Sequence, residues 1–160
     1  MFKKLTLLVV AVALFVMVGT VAAANNRNFR AHLSGEDAGA MTLGQGQAIF
    51  QFSRDGESLT YKLIVANIDN VTMAHIHLAP VGQVNGPPVL WLYPENPPAQ
   101  LIPGTFNGIL YERTVTAANL VGPLAGMTLE DLRAAIQEGR TYVNVHTSQY
   151  PPGEIRGQLR

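Results

Sequence analysis

The stretch from 47 to 67 constrains the fold most. Ala48, Phe50 and Phe52 fall two residues apart and share one face of an extended chain. Arg54-Asp-Gly-Glu57 follows, and an Asp-Gly pair tolerates the positive φ that tight hairpin turns require. Leu59, Tyr61, Leu63 and Val65 then line one face of a return strand over 58–67. A period of two on both sides of a tight turn is a β-hairpin with one buried face. The chain around it has to supply further strands to cover that face.

Those strands are legible. Residues 29–33 alternate before Ser34-Gly35, and 73–79 alternate up to Pro80. A short apolar run, 89–93, ends at Pro94. Residues 105–115, 141–146 and 154–159 complete about eight short strands. One helix is expected over about 128–138. Thr128 is its N-cap, Asp131 at N3 gives a capping-box variant, and Gly139 fits the C′ position. Leu129, Leu132, Ala135 and Ile136 form its apolar stripe. The Pro-rich stretch 94–103 is a long loop, because too little chain flanks it for two cores. The expected fold is all-β, an antiparallel Greek-key sandwich or barrel with one short helix, in a single domain.

The first 24 residues stand apart. Lys3-Lys4 is a basic start, 5–18 is apolar apart from Thr6, and Gly19-Thr-Val-Ala-Ala-Ala24 supplies small residues. This is the layout of a secretory signal peptide, with cleavage expected after Ala24 or, second, after Ala22. The alternative is an uncleaved anchor, since residues 5–24 are just long enough to span a bilayer. The expected organisation is a signal peptide at 1–24 and one domain at 25–160. A secreted or periplasmic location follows, with no membrane attachment after cleavage.

Composition removes whole classes of function. The chain has no cysteine, which excludes disulfides, thiolate metal sites and thiol nucleophiles. Without Lys3 and Lys4, 9 basic residues stand against 11 acidic, a net charge of −2. Nothing there attracts a nucleic-acid backbone. No Gly-x-Ser-x-Gly sequence occurs, and the scattered acids offer no glycosidase pair. Asn70-Val-Thr72 is a glycosylation sequon, relevant only in a host that glycosylates.

What remains is histidine. In Ala74-His-Ile-His-Leu78, His75 and His77 lie at i and i+2 and project from the same face of a strand. Tyr142-Val-Asn-Val-His146 places a third imidazole on another strand. If the two strands meet, His75, His77 and His146 form a three-nitrogen site suited to copper, zinc, nickel or ferrous iron. The alternative is structural: imidazoles that are plain surface groups, or that hydrogen-bond the 85–89 turn and order the rim. His32 occupies a polar slot of its strand and is expected to face solvent. Glu154 and Arg156 share a strand face, where they can pair or reach neighbouring strands. Trp91 is expected as a core or rim aromatic.

Several of these segments together resemble a known family. Phe29-Arg-Ala-His-Leu-Ser-Gly35, Leu59-Thr-Tyr61, Ala74-His-Ile-His77 and Asn85-Gly-Pro-Pro-Val89 come first in the chain. Leu132, Gly139, Tyr142-Val-Asn-Val-His-Thr147 and Pro152-Gly-Glu-Ile-Arg-Gly-Gln-Leu159 follow. The pattern resembles the CHRD domain, the module named after chordin, over about 29–159. The doubled proline at Pro87-Pro88 departs from it. The resemblance implies a secreted β-sandwich module. It does not transfer the growth-factor antagonism of multidomain chordin to a lone domain. The His-x-His pair and the late Val-His also resemble the copper ligands of copper–zinc superoxide dismutases, which places His75, His77 and His146 at copper positions. That family also has a bridging histidine and a disulfide. Here no histidine lies between His77 and His146, and there is no cysteine.

Three functions are then open. The first is a non-catalytic extracytoplasmic module binding an envelope or extracellular protein or polymer, chiefly through the 80–88 and 94–103 loops. The second is a copper-binding, or other transition-metal-binding, protein using the three histidines. The third is a dismutase-like redox enzyme, less favoured than a non-catalytic role.

Overall fold

The computed structural model describes residues 26–160, so the expected signal peptide lies outside the described residues. Seven strands form one antiparallel sheet: β1 (Asn28–Ser34), β2 (Gln45–Phe52), β3 (Leu59–Leu78), β4 (Pro88–Tyr93), β5 (Ile102–Val115), β6 (Thr141–Thr147) and β7 (Ile155–Gln158). Strands run in the order β2-β1-β7-β6-β3-β4, and a β2–β3 pairing closes the sheet into a barrel. β5 pairs with β3. The fold is therefore all-β and antiparallel, as the alternation implies.

β3 holds the barrel together. It is 20 residues long and pairs with β2 and β5 through its first half and with β6 and β4 through its second. Sequence reading divides it into two strands, 58–67 and 73–79, because the apolar alternation breaks between them. In the structure the chain stays extended through that break. Asn67 and Asn70 adopt φ of 54° and 53°, a left-handed conformation that asparagine tolerates better than most side chains. Their neighbours secure the bends. The Asn67 amide donates to Asn107 Oδ1 (2.8 Å), and the Gly104 amide donates to Asn70 Oδ1 (2.9 Å).

These irregularities set which side chains face the core. Up to Val65 the buried residues of β3 are Leu59, Tyr61, Leu63 and Val65. Register shifts then fall between Val65 and Ile68, between Asp69 and Val71, and between Val71 and Met73. Across them the buried positions of β3 fall three residues apart, at Val65, Ile68, Val71 and Ala74, so the alternation reverses three times. Three reversals leave the strand in opposite phase, so Ala74 and Ile76 join the core cluster. His75 and His77, which an unbroken alternation would turn inward, are turned out.

The core is the barrel interior. Phe29 packs edge-on to Phe52 at 5.7 Å, and Phe50 stacks on Tyr61 at 5.9 Å. The buried Tyr61 hydroxyl donates to Leu92 O (2.8 Å), which removes the cost of an orphaned phenol. The expected helix is α2 (Leu129–Gln137), after the single turn α1 (Gly35–Ala38) that sequence reading does not anticipate. Thr128 and Asp131 form its capping box, and Gly139 takes a φ of 69° just beyond its end. Leu129, Leu132, Ala135 and Ile136 are buried.

Candidate metal centre

β3 and β6 pair in regular register from Met73↔His146 to Leu78↔Thr141. Residues directly opposite share a face. The outer face therefore carries Met73, His75 and His77 along β3, and His146, Asn144 and Tyr142 opposite them on β6. β4 adds Trp91 beside His75, and β7 adds Arg156 beside Asn144. The inner face of the same strands carries Ile76, Val143 and Val145.

An outer face normally meets water, but this one is covered. His75, His77 and His146 are only 3%, 9% and 6% exposed. The 79–87 loop covers one side, and the His77 Nδ1–H donates to its Gly86 carbonyl (2.9 Å). The 148–153 turn covers the other, and the His146 Nδ1–H donates to its Pro151 carbonyl (2.8 Å). A carbonyl only accepts, so both rings carry their hydrogen on Nδ1 and present a bare Nε2. The bare Nε2 of His146 accepts from the His75 Nδ1–H (3.2 Å). The Nε2 atoms of His75 and His77 are buried without a partner.

The three histidines thus bring one ring nitrogen each to within 4.8 Å of one another. Nitrogens about 2.0–2.1 Å from a shared ion in tetrahedral geometry are about 3.4 Å apart. The His75–His146 separation already matches. His77 needs a side-chain adjustment to complete the set. A metal held there would take His77 and His146 through Nε2 and His75 through Nδ1, which would first give up the hydrogen it shares with His146. The bonds to the Gly86 and Pro151 carbonyls hold two of the rings in the tautomer that leaves Nε2 free for a ligand, the kind of outer support that metal-binding histidines use.

Electrostatics agrees. Burial holds the pKa of His75 down at about 3, helped by the neighbouring His146 and His77. Burial likewise lowers His77 to about 4, against a smaller opposing effect of its bond to Gly86. His146 is lowered by burial as well. All three rings are neutral at physiological pH, the form that donates a lone pair to a metal.

Aromatic residues frame the rings. Trp91 stands perpendicular to His75 at 4.2 Å, and Tyr142 stacks on His77 at 4.9 Å. The Arg156 guanidinium lies 3.7 Å over the Tyr142 ring. It also donates to Asn85 Oδ1 and Val84 O, both at 2.8 Å, and so ties down the loop that carries Gly86. Gly86 itself has to be glycine. A Cβ there would collide with the Leu78 carbonyl.

Glu154 and Arg156 do not form a pair. Glu154 is buried and accepts from Thr42 Oγ1 (2.6 Å) and Thr147 Oγ1 (2.7 Å), which joins the 39–44 loop to the end of β6. Arg156 clamps the opposite loop. Both support the covers of the site, and neither belongs to its donor set. His32 is exposed, as its polar slot implies. Trp91 is a rim aromatic set against a candidate ligand. The His77–Gly86 bond is the contact with the 85–89 turn that sequence reading offers as the structural alternative; sequence reasoning misses Pro151, because a backbone carbonyl leaves no side-chain signature. It also misses Tyr142, whose role follows only from its register opposite His77.

A closed antiparallel barrel with a histidine cluster under two loops defines a class of β module. Within that class, the CHRD domain family model matches residues 29–159, nearly the whole described chain, and the protein belongs to that family. No curated protein and no solved structure matches it.

Proposed function

We propose that this CHRD-domain protein is a non-catalytic, extracytoplasmic binding module that takes up a transition-metal ion, copper above all, through His75, His77 and His146. One observation carries the reading: three neutral, buried imidazoles bring one ring nitrogen each to within 4.8 Å of one another, two of the rings held by backbone carbonyls in the tautomer that leaves Nε2 bare. A structural role for the imidazoles accounts for the Gly86 and Pro151 bonds. It does not account for the Nε2 of His77, a proposed ligand atom buried without a partner, which carries a desolvation cost unless something binds it. The extracytoplasmic location rests on the signal-like first 24 residues and on the family. Among the described residues, no helix is long and apolar enough to cross a membrane.

The dismutase reading has less support, since no histidine between His77 and His146 is present to bridge a second metal. A partner-binding role is compatible with metal uptake. Met41 and Leu43 in the 39–44 loop are 96% and 87% exposed, and Val81 and Val84 in the 79–87 loop are exposed as well.

Calorimetric titration of residues 25–160 with copper and zinc tests the proposal. It predicts one site per chain, lost in His77→Ala and in His146→Ala. Equal affinity in the wild type and both variants refutes it.

A further inference from the structure

Resting on the three-histidine reading, we infer that the site is built for cuprous ion and that Met73 supplies its fourth ligand, a thioether.

Met73 lies two residues before His75 on β3 and directly opposite His146 on β6. Regular pairing from Met73 to Leu78 places its side chain on the histidine face, adjacent to two of the three ligands. It gets there because the shift between Val71 and Met73 completes the change of phase along β3. Met73 is half-buried, unlike the chain's highly exposed Met41. The remaining flanks of the rings are taken by Trp91 against His75 and Tyr142 against His77. A flexible thioether is a soft donor, and soft donors select Cu(I) among the ions that imidazole accepts.

Charge points to the same ion. The cluster contains no carboxylate. Glu154, the buried acid nearby in sequence, is engaged by Thr42 and Thr147. The charged group that does approach is cationic Arg156, stacked on Tyr142 behind His77. A buried ion here would keep its charge uncompensated. The cost of burying an ion rises with the square of its charge, so a monovalent ion incurs about a quarter of the divalent cost. Three neutral imidazoles and a thioether in a covered site therefore favour Cu(I) over Cu(II) and Zn(II).

The test pairs the wild type with Met73→Leu, which keeps volume and shape, and with His77→Ala. Cu(I) affinity is read by competition with a chromogenic chelator, and sulfur ligation by X-ray absorption of the Cu(I)-loaded protein. We expect a sulfur scatterer in the wild type that disappears in Met73→Leu. Cu(I) affinity should fall by about tenfold or more, while Zn(II) affinity stays within about twofold. Cu(I) bound by nitrogen alone, or equal Cu(I) affinities in wild type and Met73→Leu, overturns the assignment of Met73 and leaves the three-histidine site standing. A wild type that binds neither Cu(I) nor Zn(II) overturns both.

Discussion

The two halves of β3 differ although they belong to one strand. In the first, Leu59, Tyr61, Leu63 and Val65 are buried while Thr60 and Lys62 look outward, Lys62 forming an ion pair with Glu112 at 3.1 Å. In the second, every residue from Ala74 to Leu78 is buried. Its inner face is as apolar as that of the first half. Its outer face is polar and yet withdrawn from water. A barrel wall needs burial on one side only, so the second burial calls for a separate cause. The structure supplies it in two loops held down by Arg156, Tyr142 and Glu154, and in the three imidazoles beneath them.

The largest consequence of that difference is in pH. In the metal-free protein, His75 and His77 stay neutral down to about 3 and about 4, whereas an unfolded chain protonates them near 6.5. Their folded pKa values are depressed, so below 6.5 the unfolded state binds more protons. Stability contributed by these groups is full above 6.5 and is lost as pH falls toward 4 and 3. At pH 5 the loss is about 2 kcal/mol for each of the two. Urea denaturation at pH 7.5 and pH 5 should show this loss in the wild type and not in a His75→Gln/His77→Gln variant. Equal losses in both would place the rings within reach of protons in the folded state, as on an ordinary outer face.

A smaller effect is expected from the covering loop. Gly86→Ala drives a Cβ into the Leu78 carbonyl and has to displace the carbonyl that orients His77. We expect metal affinity to drop by about 10- to 100-fold, the usual effect of losing such outer support. Unchanged affinity on titration would mean that His77 keeps its binding tautomer without the loop.

The smallest effect belongs to the first half. Lys62→Ala removes an exposed ion pair with Glu112 and should alter unfolding free energy by less than about 1 kcal/mol, with no change in metal binding. A larger loss on urea denaturation would show that the first half's outer face also carries more than solvent-facing polarity.

The sequence makes the first half of β3 legible and leaves much of the second hidden. Alternation from Leu59 to Val65 and the Asp55-Gly56 turn identify the hairpin directly. The capping pair Thr128 and Asp131 locates the helix equally well. The i, i+2 spacing shows that His75 and His77 project together, and the resemblance to copper ligands points to His146. What local pattern cannot show is phase. The three shifts between Val65 and Met73 involve left-handed Asn67 and Asn70 and partners in β5 and β6, and these determine whether the histidines face core or loops. The burial of the site is hidden for the same reason. It arises from contacts distant in sequence, such as Arg156 with Asn85 and Glu154 with Thr42. Read locally, Glu154 and Arg156 look like partners on one strand, although their side chains serve opposite loops.

The most direct test of the account is the structure of the protein crystallised with copper. The account predicts one ion bound by His75 Nδ1, His77 Nε2 and His146 Nε2, with Gly86 and Pro151 still accepting from the other nitrogens of His77 and His146. Copper found only at exposed positions such as His32, with the three buried rings unliganded, would contradict it.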